Sequence, residues 1–134
     1  MTAGRKAPIS RQAPQAPHAP RSPQSADSRL PSGGADVERG RFATPVDPDV
    51  VERAWAQRGF SCRLWVDPPG QAWDDFVHGT QELVAVVEGR LEFEVGGQSV
   101  ELAPGDELLI PRNARHSVKN VHRGTSRWLY GYGR

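Results

Sequence analysis

The sequence predicts an all-β fold, a small antiparallel β-barrel or jelly roll, preceded by one short helix and a disordered N-terminal tail. Three observations carry that reading. Leu91, Phe93 and Val95 alternate with Arg90, Glu92 and Glu94, the period-two pattern of a strand with one buried and one wet face. Several short runs of β-type sequence follow one another, divided by turn residues such as Gly96-Gly97 and Ala103-Pro-Gly-Asp106. Helical periodicity is confined to one stretch ahead of them. Many short strands with little helix fit a closed barrel or jelly roll, and a barrel of that size has room for one small ligand.

The elements follow in chain order. Residues 1–41 contain no aromatic residue and hold Pro8, Pro14, Pro17, Pro20, Pro23 and Pro31 among Ala, Ser, Gln and Arg. Such a segment buries too little apolar surface to offset its chain entropy, so disorder is expected. It carries seven Lys/Arg against three Asp/Glu, whereas residues 42–134 carry ten against thirteen. A basic tail thus precedes a mildly acidic domain. Its cations are scattered and no aromatics interleave, which argues against nucleic acid as a partner. An Arg-rich, acid-poor start also resembles a targeting peptide, but the prolines oppose the amphipathic helix such peptides need.

Residues 42–134 suit one small domain. A helix is expected over about 48–58: Asp47 caps it, Pro48 suits its first turn, and Gly59 suits its stop. Val50, Val51, Ala54 and Trp55 recur at helical spacing, giving it an apolar side. The barrel is expected over about 60–134. Cys62 to Leu64 reads as strand, as does a run from His78 to Val87. Leu91 to Val95 turns at Gly96-Gly97 into the returning strand Gln98 to Leu102. Glu107 to Ile110, His116 to Val121 and Arg127 to Tyr132 complete the set. No apolar run approaches a membrane span, and no signal-peptide core follows the basic start. Cys62 is the single cysteine, so no intrachain disulfide forms, and it reads as a small strand residue rather than a nucleophile. Together these point to a cytoplasmic protein.

Three polar residues in the β-type region suit one metal ion. His78 and Glu82 are four apart, and strand residues an even number apart share a face. An unbroken strand from His78 would set both beside Val84 and Val86. His116 opens a second strand after the turn Pro111-Arg-Asn-Ala-Arg115. Two imidazoles and a carboxylate are the donor set of three-ligand zinc sites and of non-heme iron triads. The other reading of these residues is a His–Glu hydrogen bond with water, in a barrel without an ion.

The same positions carry a resemblance. From His78 the chain reads His, three residues, Glu82, six residues, Gly89. From Gly105 it reads Gly-Asp-Glu-Leu-Leu-Ile-Pro-Arg-Asn-Ala-Arg-His-Ser-Val-Lys-Asn120. These stretches resemble the two motifs of the cupin superfamily, small antiparallel β-barrels. The first family motif usually begins His-x-His, and here Phe76 stands at the first of those positions. Asn113 stands where the second motif has an inner Gly, and Asn tolerates the left-handed conformation that Gly would supply. The resemblance covers roughly residues 60 to 134. It implies a divalent metal held by His78, Glu82 and His116, without distinguishing zinc, iron, manganese or nickel.

Around those ligands, Trp73, Phe76, Asn120 and Tyr130 are candidate pocket residues. Phe76 would wall one side of the site, and Asn120 could hydrogen-bond beside His116. Trp128, Tyr130 and Tyr132 share one strand face. That stripe is expected to supply barrel core or a homodimer interface. Arg112 and Arg115 flank His116 and could attract an anion. No phosphate-cradling loop, cysteine pair or nucleophile elbow occurs. Two function classes stay open: a metal-dependent enzyme whose catalytic residues are unknown, related to dioxygenases, isomerases, epimerases or decarboxylases, and a barrel that binds a small molecule without turnover.

Overall fold

The computed structural model describes residues 35–133. In chain order these form β1 (Asp36–Glu38), α1 (Pro48–Gln57), β2 (Arg63–Asp67), β3 (Ala72–Phe76), β4 (Glu82–Glu88), β5 (Leu91–Val95), β6 (Gln98–Leu102), β7 (Glu107–Ile110), β8 (His116–Asn120) and β9 (Ser126–Tyr132). The strands make two antiparallel sheets, ordered β1-β7-β4-β9-β2 and β3-β8-β5-β6. This is the mostly antiparallel jelly roll that the alternating pattern predicts.

Packing follows strand parity. Val84, Val86, Leu91, Phe93, Val95, Leu102, Leu108, Ile110, Val118 and Trp128 form the cluster between the sheets. Glu92 and Glu94 face solvent. Gly96 and Gly97 both adopt positive φ, 57° and 85°, so the β5–β6 hairpin closes through the turn that matches strand twist. Val100 is only half-buried, less than its position in the alternation predicts.

A second cluster lies on the outer face of the five-stranded sheet, where α1 packs Val51 and Trp55 against Leu83, Ala85 and Leu129. Asp47 caps the helix by accepting from Asp49 N at 2.9 Å, and Gly59 leaves it at φ 85°. Trp55 Nε1 donates to Glu107 Oε1 at 2.8 Å and Arg58 to Glu107 Oε2 at 2.9 Å, satisfying a buried carboxylate. Val50 lies outside the buried side, 44% exposed, because its direction on the helix turns it past the contact with the sheet.

Two expectations change. Residues 36–41 belong to the domain: β1 pairs with β7, and Arg39 and Gly40 N both donate to Asp106 at 2.9 Å. The folded domain therefore includes residues expected in the tail, and the rest of the expected tail lies outside the described residues. The run from His78 is not one strand, since β4 starts at Glu82. Of the two roles expected for the aromatic stripe of β9, barrel core is the one seen, with Trp128 in the core between the sheets and Tyr130 packed against it. Among the described residues no helix is long and apolar enough to cross a membrane.

Candidate metal centre

Glu82 is the first residue of β4 and shares the inward parity of Val84 and Val86. His116 is the first residue of β8, delivered by the turn in which Asn113 takes φ 66°, the left-handed conformation expected there. His78 sits in the loop between β3 and β4, so strand parity is not what places it. Two contacts do. Asn113 N donates to the His78 carbonyl at 2.7 Å, tying this loop to the turn before His116. Phe76, two residues earlier, pairs with His116 in the β3–β8 ladder.

One potential ligand atom from each of His78, Glu82 and His116 lies within 4.8 Å of the others. Glu82 Oε1 is 3.2 Å from His116 Nε2 and 3.5 Å from His78 Nε2. This oxygen is buried and accepts no hydrogen bond. His116 Nδ1 lies 3.0 Å from the Ala114 carbonyl, which can only accept, so Nδ1 carries a proton and Nε2 is the ring nitrogen that faces the carboxylate. Burial lowers the pKa of His78 from its ordinary 6.5, against a smaller opposing pull from Glu82. A buried carboxylate oxygen without a hydrogen bond, faced by a ring nitrogen from each of two histidines, is a donor set of the kind that holds a cation. The residues present fit a divalent metal.

Aromatic rings wall the group. Phe76 stacks on His78 with centroids 5.9 Å apart and lies 5.8 Å from His116. Tyr132 meets the His78 ring edge-on at 4.9 Å, and Tyr130 lies 5.9 Å from Tyr132. Burial, then Glu82 and Tyr130, push the Tyr132 phenol far above its ordinary range, so its hydroxyl stays protonated. Phe76 and Tyr130 are thus near the group as the sequence predicts, and Tyr132, expected only in the β9 stripe, joins them. Its two-residue step from Tyr130 puts both rings on one face of β9.

The remaining candidates lie elsewhere. Asn120 shares the inward side of β8 but works at the strand's other end. It donates to Asp67 O, Pro68 O and Gly124 O and accepts from His122 N and Ser126 Oγ, clamping two loops. The His116 ring is held by the Ala114 carbonyl instead. Trp73 donates to Asp67 Oδ1 at 3.0 Å, as does Trp65, while Trp128 donates to Oδ2 at 3.0 Å. Asp67 went unread, because a lone inward acid on a short strand leaves no motif. Arg115 pairs with Asp75 at 3.2 Å, both exposed.

Fold and site together define a β-barrel with a His/Glu/His group inside. The chain belongs to the cupin family: residues 63–132 match Cupin_2, the cupin domain. Among curated proteins it is 35% identical over 63 residues to polyketide synthase CurC from Streptomyces cyaneus, covering 46% of this chain and 41% of that protein. Among solved structures it is similar to a cupin 2 domain-containing protein from Halorhodospira halophila, with TM-score 0.58, 22% identity and 75% of each chain covered. It is also similar to a predicted oxalate decarboxylase from Thermotoga maritima, with TM-score 0.52, 20% identity, and 60% of this chain and 71% of that one covered. At these identities the two structures speak for the fold alone.

Proposed function

We propose that His78, Glu82 and His116 hold one divalent metal ion and that the barrel binds or transforms a small oxygen-bearing molecule beside it. The observation that carries this is Glu82 Oε1, buried without a hydrogen-bond donor and faced by the Nε2 atoms of both histidines. When bound, such an ion supplies Lewis acidity toward a carbonyl or hydroxyl oxygen of the ligand. This chain's own residues would do the rest. Phe76 replaces a fourth ligand with an apolar wall, leaving coordination positions on that side to the ligand. The Tyr132 hydroxyl, kept protonated, is a donor for a ligand oxygen. The likeness to polyketide synthase CurC supports a ligand rich in carbonyl and hydroxyl groups.

The loss of one family ligand at Phe76 favours a second reading, a metal-free ligand-binding barrel. Metal analysis of untagged protein, followed by titration with zinc, manganese, nickel and ferrous iron, separates the two. The proposal expects one ion per chain, and its loss in both His78→Ala and His116→Ala with the far-UV spectrum unchanged. No divalent metal bound at micromolar concentration, or full occupancy in both variants, sinks it. We further propose a homodimer formed through the outward face of β2, away from Trp65 and Asp67, where Leu64 and Val66 remain 43% and 51% exposed. A monomer mass by light scattering at high concentration removes that part.

A further inference from the structure

The two sheets meet along β2 and β3 without a backbone ladder. These strands are the free edges of the five- and four-stranded sheets. Side chains close one end of this seam. The buried Asp67 carboxylate takes indole N–H bonds from Trp65 on β2, Trp73 on β3 and Trp128 on β9, and the rings of Trp65 and Trp73 meet edge-on at 5.9 Å. Toward the metal centre that closure stops. Between Trp73 and Phe76 the β3 register breaks at a bulge, with Asp75 at φ 63°.

Exposure follows the same line. Trp65, Trp73, Phe76, His78, Tyr130 and Tyr132 are all half-buried, while Val95, Leu102, Leu108 and Ile110, toward the opposite side, are fully buried. The partly exposed side chains of the interior thus gather along the β2/β3 seam. At its rim stands Arg63, exposed, on the inward parity of Trp65 and Asp67 and directly paired with Tyr130 in the ladder. Its charge reaches the Tyr130 phenol, opposing the rise that burial causes. Arg39, Arg41, Arg58, Arg90, Arg115 and Arg127 each have a carboxylate partner. Among the described residues Arg63 has none.

We propose that this seam is the entrance to the site, and that it takes a planar aromatic anion, its ring among Trp65, Phe76 and Tyr130 and its carboxylate or phenolate oxygen on Arg63. The inference deepens the reading of the barrel as a ligand site and does not require the metal. Edge and face contacts with three rings favour a flat, π-rich body over an aliphatic one. A guanidinium that meets no carboxylate among the described residues gives a charge-assisted bond that a neutral ligand cannot return.

Two probes of one shape test it, naphthalene-2-carboxylate and the neutral naphthalene-2-carboxamide. Each is titrated calorimetrically and by tryptophan fluorescence into full-length protein, both zinc-loaded and chelator-treated. The carboxylate should bind more tightly than the amide. Arg63→Gln should weaken the carboxylate about tenfold and the amide less than about twofold. Arg53→Gln, on the exposed side of α1, should change neither. Zinc content should be the same in wild type and Arg63→Gln. No saturable binding of the carboxylate, or equal losses for both probes in Arg63→Gln, overturns the proposal. An Arg63-dependent preference that persists in chelator-treated protein supports the seam even if the metal reading fails. Zinc binding without that preference leaves the metal reading standing and overturns this one.

Discussion

Asp67 shows how much one buried carboxylate can organise. Its two oxygens accept from three indoles on three strands, and burial raises its pKa above the ordinary 3.8 because those bonds offset the lost hydration only in part. A raised folded-state pKa contributes stability that is complete below 3.8 and is lost as the pH climbs through the folded value. Asp67→Asn cannot ionise, so relative to wild type it should gain stability as the pH rises above 3.8, as read by urea denaturation at each pH. A constant difference across that range would show that Asp67 titrates alike in the folded and unfolded chains. Asp67→Ala leaves three indole donors without their acceptor and should cost about 2–4 kcal/mol in the same assay. His78 teaches the complementary lesson. Its identity and its spacing to Glu82 were legible, but its position comes from the Asn113 N–H, a contact 35 residues away that no local pattern encodes.

At the level of elements, β9 is held where a side chain would not fit. A Cβ on Gly131 would lie 1.7 Å from the Ser61 carbonyl oxygen, in the stretch where Ser61 N donates to Tyr132 O at 3.1 Å and Ser61 Oγ accepts from Tyr132 N at 3.0 Å. Gly131→Ala should therefore force the backbones apart, destabilising the fold by about 1–3 kcal/mol and shifting Tyr132 against His78. Thermal denaturation reads the first effect, and the metal titration reads the second as weaker binding. An alanine variant with unchanged melting and affinity would show that the two segments separate freely. Strands with clean alternation, β5 and β6, were legible to the residue. The bulged β3 and the three-residue β1 were not, because an irregular or very short strand carries too little periodicity.

For the whole molecule, the N-terminal boundary has an energetic meaning. β1 pairs with β7, and Arg39 and Gly40 hold Asp106 beside the turn into that strand. Burial raises the Asp106 pKa, but the Ala103 amide, the Gly40 amide and Arg39, through its bond and its charge, together lower it below the ordinary value. Removing residues 1–34 should change the melting temperature by less than about 3 °C, as expected of a proline-rich segment without aromatics. Removing residues 1–41 should lower it by about 5 °C or more, since the β1 ladder and two partners of a buried acid go with it. Equal melting of both truncations would show that β1 adds nothing to the sheet.

The sequence by itself determined the barrel class, the inward residues of its regular strands, the helix and its cap, and the identity of His78, Glu82 and His116. Those properties are written in nearest-neighbour spacing, which a period of two or 3.6 exposes. Only the tertiary structure decided that β1 joins the sheet, that Asn120 clamps loops instead of orienting His116, and that the β9 aromatics face inward. It also decided that Asp67 gathers three tryptophans and that Arg63 stands at an open seam. Each of these depends on which strands become neighbours and at what register, and such pairings join residues far apart in the chain, leaving no local pattern to read.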